Sequence, residues 1–278
     1  MGLGWFESIL FGLFSGLTDI LPVSAQAHKL ILLKVFGSGK EPELIRLLIH
    51  IAVLMALYIS CSPMIVKITR ARRLARVPKK RRKRPLDTKS LMDFSLLRTM
   101  VIPVIISFFF YEKAVALGSN MILVACFVFL NGLILYIPQY LPGSNKDSRL
   151  LSRVEGLLIG LGGAASVLPG ISGMGTVLSV ESVCGVDKNY GLSMAFLLNM
   201  VILIAHIIFD VLAIVSGGID MISISIILQC LLTAVSAFCG AMAGIRIMRH
   251  MAVDIGFTGF AYYCWGVALF TFILNLIA

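Results

Sequence analysis

Six stretches of the chain stay apolar for about 19 residues or more and end in polar or Gly/Pro clusters: 44–60, 93–111, 120–140, 190–216, 221–245 and 256–277. A helix rises about 1.5 Å per residue and the hydrocarbon core of a bilayer is about 30 Å thick, so each run predicts a membrane-crossing helix. Two further apolar regions, 3–36 and 155–184, behave differently. Each is cut near its middle, by Ile20-Leu21-Pro22-Val23-Ser24 in the first and by Val167-Leu168-Pro169-Gly170-Ile171-Ser172 in the second. Proline lacks a backbone donor and pushes the residue before it out of the helical region. Each half is then short for a span, and each region predicts a re-entrant helical hairpin.

The two hairpins correspond. Displacing the sequence by 147 positions sets Gly16 on Gly163 and Leu21-Pro22 on Leu168-Pro169. The chain divides into a repeat over 1–140 and a second over 155–278, each one hairpin followed by three spans. Three crossings is an odd number, so the second repeat enters from the opposite face. In such inverted repeats the interrupted helices meet near the bilayer midplane and form the site. Non-helical backbone survives at that depth only when buried in protein or lining a wet cavity. The predicted fold is all-α: a polytopic integral membrane protein with six full spans.

Composition agrees and excludes other classes. With 59% hydrophobic and 14% charged residues and a mean hydropathy of +0.97, a soluble enzyme, a disordered chain and a secreted disulfide scaffold are ruled out. Residues 67–89 hold 12 of the 24 Lys and Arg and a single acid, Asp87, so the net charge of +10 resides there. The run Lys79-Lys80-Arg81-Arg82-Lys83-Arg84 has the look of a nucleic-acid patch. Between apolar segments it more simply obeys the positive-inside rule, giving a cytoplasmic loop 61–92 against anionic lipid headgroups. The linker 141–154 and the Arg246/Arg249/His250 turn then share that side, and the turns near 112–119 and 217–220 face the other. The six cysteines, Cys61, Cys126, Cys184, Cys230, Cys239 and Cys264, form no C-x-x-C and read as packing residues. Ala25-Gln26-Ala27 resembles a signal-peptidase site, but the first eight residues carry only Glu7 as a charge, and the segment reads as mature protein.

The chemistry gathers at the hairpin tips. Helices beginning after Pro22 and after Gly170 aim their free N–H groups at the centre, which attracts anions. A phosphate or diphosphate headgroup with its apolar chain left in lipid is the natural guest. Thr18, Asp19, Ser24, Gln26, His28 and Lys29 lie around the first tip, and Ser166, Ser172 and Thr176 around the second. Ionisable groups at membrane depth are functional candidates. His28 suits a nucleophile or general base, and Asp19 suits orienting it or holding a metal ion. Ser24, Ser172 and Thr176 either donate to phosphate oxygens or merely satisfy backbone freed by the prolines. His206 and Asp210, four apart, are expected to satisfy each other. His50 and Arg98 are expected to face the interior, and Glu7 and Glu181 to sit at hairpin mouths. The pairs Gly12/Gly16, Gly156/Gly160 and Gly240/Gly244 permit close helix packing.

The segment Gly16-Leu17-Thr18-Asp19-Ile20-Leu21-Pro22-Val23-Ser24, followed by His28, resembles the undecaprenyl-diphosphate phosphatase family, also linked to bacitracin resistance. Leu168-Pro169-Gly170-Ile171-Ser172 and the Phe260 to Gly266 segment follow in that family's order. The resemblance implies a bacterial plasma-membrane protein that removes the terminal phosphate of a polyprenyl diphosphate and recycles the wall-precursor carrier. It implies His28, Asp19, Ser24 and Ser172 as catalytic residues, and the position of the two tips makes Thr18, Gln26, Lys29, Gly170, Gly173 and Thr176 the candidates around the phosphates. It also implies Mg²⁺ or Ca²⁺ on Asp19. The implied partners are a polyprenyl mono- or diphosphate and anionic lipid at the basic loop, with a homodimer admissible and no nucleic acid.

Departures fall on the chemistry. Where the family reads E-G-L-T-E-F-L-P-V-S-S-T-G-H, Ser15 replaces the first Glu, Asp19 the second, Ala25 the second Ser and Ala27 the Gly. In P-G-x-S-R-S-G, Gly173 takes the Arg position and Met174 the next Ser, and Cys264 stands where an Arg follows Tyr263. A positioned Arg contributes about 10³ to 10⁵ in phosphoryl-transfer rate. Lys29 is a candidate substitute cation, although a point charge does not copy bidentate geometry. Two other functions therefore stand beside hydrolysis: a non-catalytic polyprenyl-phosphate binder or translocase, and an ion or small-solute transporter using Asp19.

Overall fold

The computed structural model describes residues 4–37, 41–82, 84–142, 145–217, 224–254 and 257–277. The predicted 217–220 turn falls mostly outside them, as do residues 3, 83, 143, 144, 221–223 and 256 of other predicted segments. The first half holds α1 (Trp5–Ile20), α2 (Ala25–Val35), α3 (Glu43–Ala75), α4 (Thr88–Phe108), a short α5 (Tyr111–Ala116) and α6 (Met121–Tyr136). The second holds α7 (Arg153–Ala164), α8 (Gly173–Val183), α9 (Lys188–Gly217), α10 (Ile224–Asp254) and α11 (Thr258–Ile277). Among the described residues there is no strand, only one bridge between Lys146 and Val186. Six helices are long and apolar enough to cross a bilayer: α3, α4, α6 with the tighter turn continuing it to Tyr140, α9, α10 and α11. This is a multi-pass membrane protein. The short pairs α1/α2 and α7/α8 are the two predicted hairpins.

The basic loop is shorter than the predicted 61–92. Helix α3 runs on for 33 residues to Ala75, because Lys67, Arg70, Arg72 and Arg73 are good helix formers. Pro63 does not stop it. Its missing N–H frees the Ile59 carbonyl, and the Ser62 hydroxyl donates to that oxygen at 2.9 Å. On the far side Asp87 caps α4, accepting from the Ser90 N–H at 3.1 Å and the Ser90 hydroxyl at 2.7 Å. The second linker is also held down. Asp147 pairs with Arg149 at 2.7 Å, which keeps its carboxyl well below the usual carboxylate range, and reaches Lys89 at 3.5 Å.

Packing follows the repeat. Helix α1 lies along α10, and its counterpart α7 lies along α4; α3 packs on α9, and α6 on α11. Exchanging the two halves maps these contacts onto one another. Apolar attraction does not hold helices together in lipid, so close backbone approach does. A Cβ on Gly16 would strike the Ala237 carbonyl, one on Gly240 the Leu13 carbonyl and one on Gly160 the Met100 carbonyl. Phe11, Ile20, Leu57, Met100, Leu198 and Met248 fill the centre, while Phe109, Ile105, Val215 and Leu269 face outward. All six cysteines are free, with Cys126 and Cys239 exposed.

Two polar expectations are corrected here. Arg98 lies on the exposed flank of α4, and nothing in the structure explains a cation there. Glu181 stands at the mouth end of α8 as expected, but it is buried there, 3% exposed, rather than facing the interface. Glu7 does sit at the hairpin mouth, accepting the Gly4 N–H at 2.7 Å.

Candidate functional site

The proline breaks open both hairpins at one place. Leu21 and Ser24 are extended before α2, and Leu168 and Ser172 before α8. Gly170 has a φ of +114°, which favours glycine, and its Cβ position is taken by Phe127. The tips are stitched together. The Gly170 N–H donates to the Ser24 hydroxyl at 3.0 Å, and the Ser172 hydroxyl reaches the Leu21 carbonyl at 3.5 Å. Asn131, fully buried in α6, donates to the Pro22 carbonyl at 3.1 Å and accepts from the Ser172 N–H at 2.9 Å. One amide thus satisfies a loose backbone group from each tip, as burial demands.

A cavity opens beside this seam. Thr18, Asp19, Gln26 and Lys29 line it from the first hairpin, Ser166, Ser172 and Gly173 from the second, His50 from α3, and Asn199 and His206 from α9. Three polar atoms in this wall are buried without a hydrogen-bond partner: Asp19 Oδ2, Gln26 Oε1 and Ser166 Oγ. Buried polar groups in folded proteins are nearly always paired, so three orphans on one cavity mark a place for a polar guest. Asn199 fixes the end of α1 by donating to the Asp19 carbonyl at 3.3 Å. Oxygen donors of this kind suit a hard divalent cation that takes its remaining ligands from phosphate. Asp19 Oδ2 and Gln26 Oε1 fit that role, although among the described residues no three His, Cys, Asp or Glu side chains gather as a metal site.

Other expected site residues are taken up in holding the hairpins, some of them away from the cavity. His28 is absent from the cavity wall. Its Nδ1 donates to the Ser24 carbonyl at 2.7 Å, which leaves Nε2 to accept from the Tyr263 hydroxyl at 2.8 Å, and its ring stacks on Tyr263. Ser24 caps α2 through the Ala27 N–H and takes the Gly170 N–H, so both it and Gly170 serve the seam. Thr176 donates back to carbonyls of α7 and α8, including Gly162 and Ser172. Thr18 lines the cavity, but its hydroxyl donates to Phe14 of its own helix at 2.7 Å. Ser172 both caps α8 through the Gly175 N–H and faces the cavity.

Lys29 turns inward. It is 6% exposed, with Nζ 3.5 Å from His50 Nε2. Behind it runs a chain the sequence did not announce. His50 Nδ1 lies 2.6 Å from Asp210 Oδ2, and Arg46 Nε lies 2.6 Å from Asp210 Oδ1. His206 therefore does not pair with Asp210. Its Nδ1 lies 3.3 Å from the Tyr111 hydroxyl, and its ring packs 5.1 Å from that of His50. At the positions that depart from the phosphatase motif, Ser15 Oγ is buried and unpaired and Cys264 accepts from Asn131. Gly173 leaves no room for a side chain, since a Cβ would stand 2.6 Å from Ser166 Cβ.

Comparison with known proteins matches this frame over its length. The family model described as bacitracin resistance protein BacA covers residues 8–270. A protein named undecaprenyl-diphosphatase from Methanobrevibacter smithii is 25% identical over 272 residues, covering 96% of each chain. One of the same name from Bacteroides fragilis is 25% identical over 276 residues and 98% of each. A third, from Methanococcus vannielii, is 24% identical over 265 residues, 95% of this chain and 98% of its own.

Proposed function

The chain belongs to the bacitracin resistance protein BacA family, and from that premise we propose that it is an undecaprenyl-diphosphatase, hydrolysing a polyprenyl diphosphate to the monophosphate. The observation that carries this is the set of unpaired polar atoms from both hairpins, Asp19 Oδ2, Gln26 Oε1 and Ser166 Oγ, on one cavity beside the Lys29 ammonium. A dianionic headgroup accepts from the Ser166 hydroxyl, and the two acceptor oxygens, Asp19 Oδ2 and Gln26 Oε1, suit a cation bridging to phosphate.

Roles follow from position. Lys29 neutralises the phosphoryl oxygens. The N–H groups in the first turns of α2 and α8 that Ser24 and Ser172 do not cap add partial positive charge. Ser166 and the Gln26 side chain orient the headgroup. A Mg²⁺ or Ca²⁺ held by Asp19 and Gln26 would supply further neutralisation of diphosphate charge. His28 braces α2 against α11. The polyprenyl tail lies in lipid, the basic ends of α3 and α4 sit on anionic headgroups in the cytoplasm of a bacterial cell, and the cavity opens to the outer side of the plasma membrane. The released monophosphate re-enters the carrier pool for wall precursors.

Phosphate release from the purified full chain with undecaprenyl diphosphate tests this. Turnover by the wild type, lowered at least 10²-fold by Asp19→Ala, is the expected result. No release, together with thermal stabilisation by undecaprenyl phosphate, would leave a binder or translocase in its place.

A further inference from the structure

We propose that His50, oriented by Asp210, is the general base of this hydrolysis. The inference rests on the phosphatase reading and assigns its proton transfer to a helix outside both hairpins. A base must present a free lone pair to the reacting water, and its orientation must be fixed by another group. His28 is oriented but lacks the first: both ring nitrogens are engaged and the ring is outside the cavity wall.

His50 has both. Asp210, 1% exposed, is held as a carboxylate by Arg46 on one oxygen and accepts from His50 on the other, each at 2.6 Å. The proton of the neutral imidazole therefore sits on Nδ1, and Nε2 carries the lone pair. Its polar neighbour, Lys29 Nζ, is 3.5 Å away, at the outer limit of a hydrogen bond. An arriving phosphate draws the ammonium off and leaves Nε2 to water. The His206 ring, tethered by the Tyr111 hydroxyl, packs against the imidazole and restricts its rotation.

The step balances without a further reagent. Water bonds through oxygen to the terminal phosphorus and gives one proton to His50 Nε2. The bond from that phosphorus to the bridging oxygen breaks, and its electron pair leaves on the polyprenyl monophosphate. Asp210 stabilises the imidazolium, whose proton returns to solvent after inorganic phosphate departs. Asp210 and Arg46 are positioning residues, acting through His50.

The test is steady-state phosphate release from the full chain in detergent with undecaprenyl diphosphate. His50→Asn keeps an N–H for Asp210 and removes the base; His50→Gln is the second variant should the first fail to purify folded. Either is expected to lower kcat about 10²- to 10⁴-fold, with KM within threefold. Asp210→Asn, which donates to Nδ1 and reverses the tautomer, is expected to lower kcat while leaving KM within threefold. A kcat within threefold of wild type in the His50 variants, or a loss confined to KM, overturns the assignment and leaves the phosphatase standing. A wild type without turnover overturns both.

Discussion

Replacing Lys29 by methionine separates binding chemistry from structure. Lys29 is 6% exposed, its polar contact is the His50 ring nitrogen at 3.5 Å, and the ion pairs among the described residues do not include it. An ion taken out of water this way costs several kcal/mol that no carboxylate repays. Methionine has similar length and no charge, so the ligand-free protein is expected to melt at the same temperature or higher. The activity is expected to move oppositely. Unit charges about 4 Å apart interact by about 4 kcal/mol at an effective dielectric constant near 20. At about 1.4 kcal/mol per decade, kcat/KM is expected to fall about 10²- to 10³-fold. Lys29→Arg keeps the charge with different geometry and is expected to retain about a tenth of wild-type kcat/KM. Phosphate release and thermal unfolding in one detergent read both quantities. A Lys29→Met protein with kcat/KM within threefold of wild type refutes the placement of the headgroup. A melting point lowered by more than about 5 °C alongside lost activity shows instead that Lys29 holds the fold.

Asn131→Leu removes the bridge between the tips and leaves the Pro22 carbonyl and the Ser172 N–H unpaired. At about 1–3 kcal/mol for each stranded group, thermal unfolding is expected to show a marked loss of stability, with phosphate release falling with it. Gly16→Ala drives a methyl into the Ala237 carbonyl and forces α1 from α10, whereas a Cβ on Gly259 meets nothing within 4 Å. The first is expected to cost about 1–3 kcal/mol or more of stability and the second to stay within about 0.5. Equal melting points for Gly16→Ala and wild type would contradict the packing of α1.

The span pattern and the proline breaks were legible because membrane thickness and the chemistry of proline act locally. The junction of the tips was legible through the repeat. Helix ends were less so: the apolar run ends at the polar and proline cluster Ser60-Cys61-Ser62-Pro63, and α3 continues as a helix for fifteen residues past Ser60 because polarity does not end helices. Within the site the limit was angular. His28 and Lys29 are consecutive and so point about 100° apart on α2; they cannot both face the cavity, and the motif did not say which does. Gln26 and Lys29, three apart, share the cavity face. The i,i+4 pair His206/Asp210 was read as self-sufficient. A second i,i+4 pair, Arg46/His50, faces it from α3, and each residue takes partners from outside its own pair. Asn131 carried only a weak signal, a lone amide in an apolar run.

The seam between α1 and α10 also constrains how the molecule is built. Gly16 has no surface to close on until Ala237, more than two hundred residues later, has left the ribosome. The opening hairpin, too short to cross the bilayer, must therefore wait while most of the remaining spans are threaded. Its binding groups come together late in synthesis, so a nascent chain stalled before α10 holds no finished chamber in which to capture lipid.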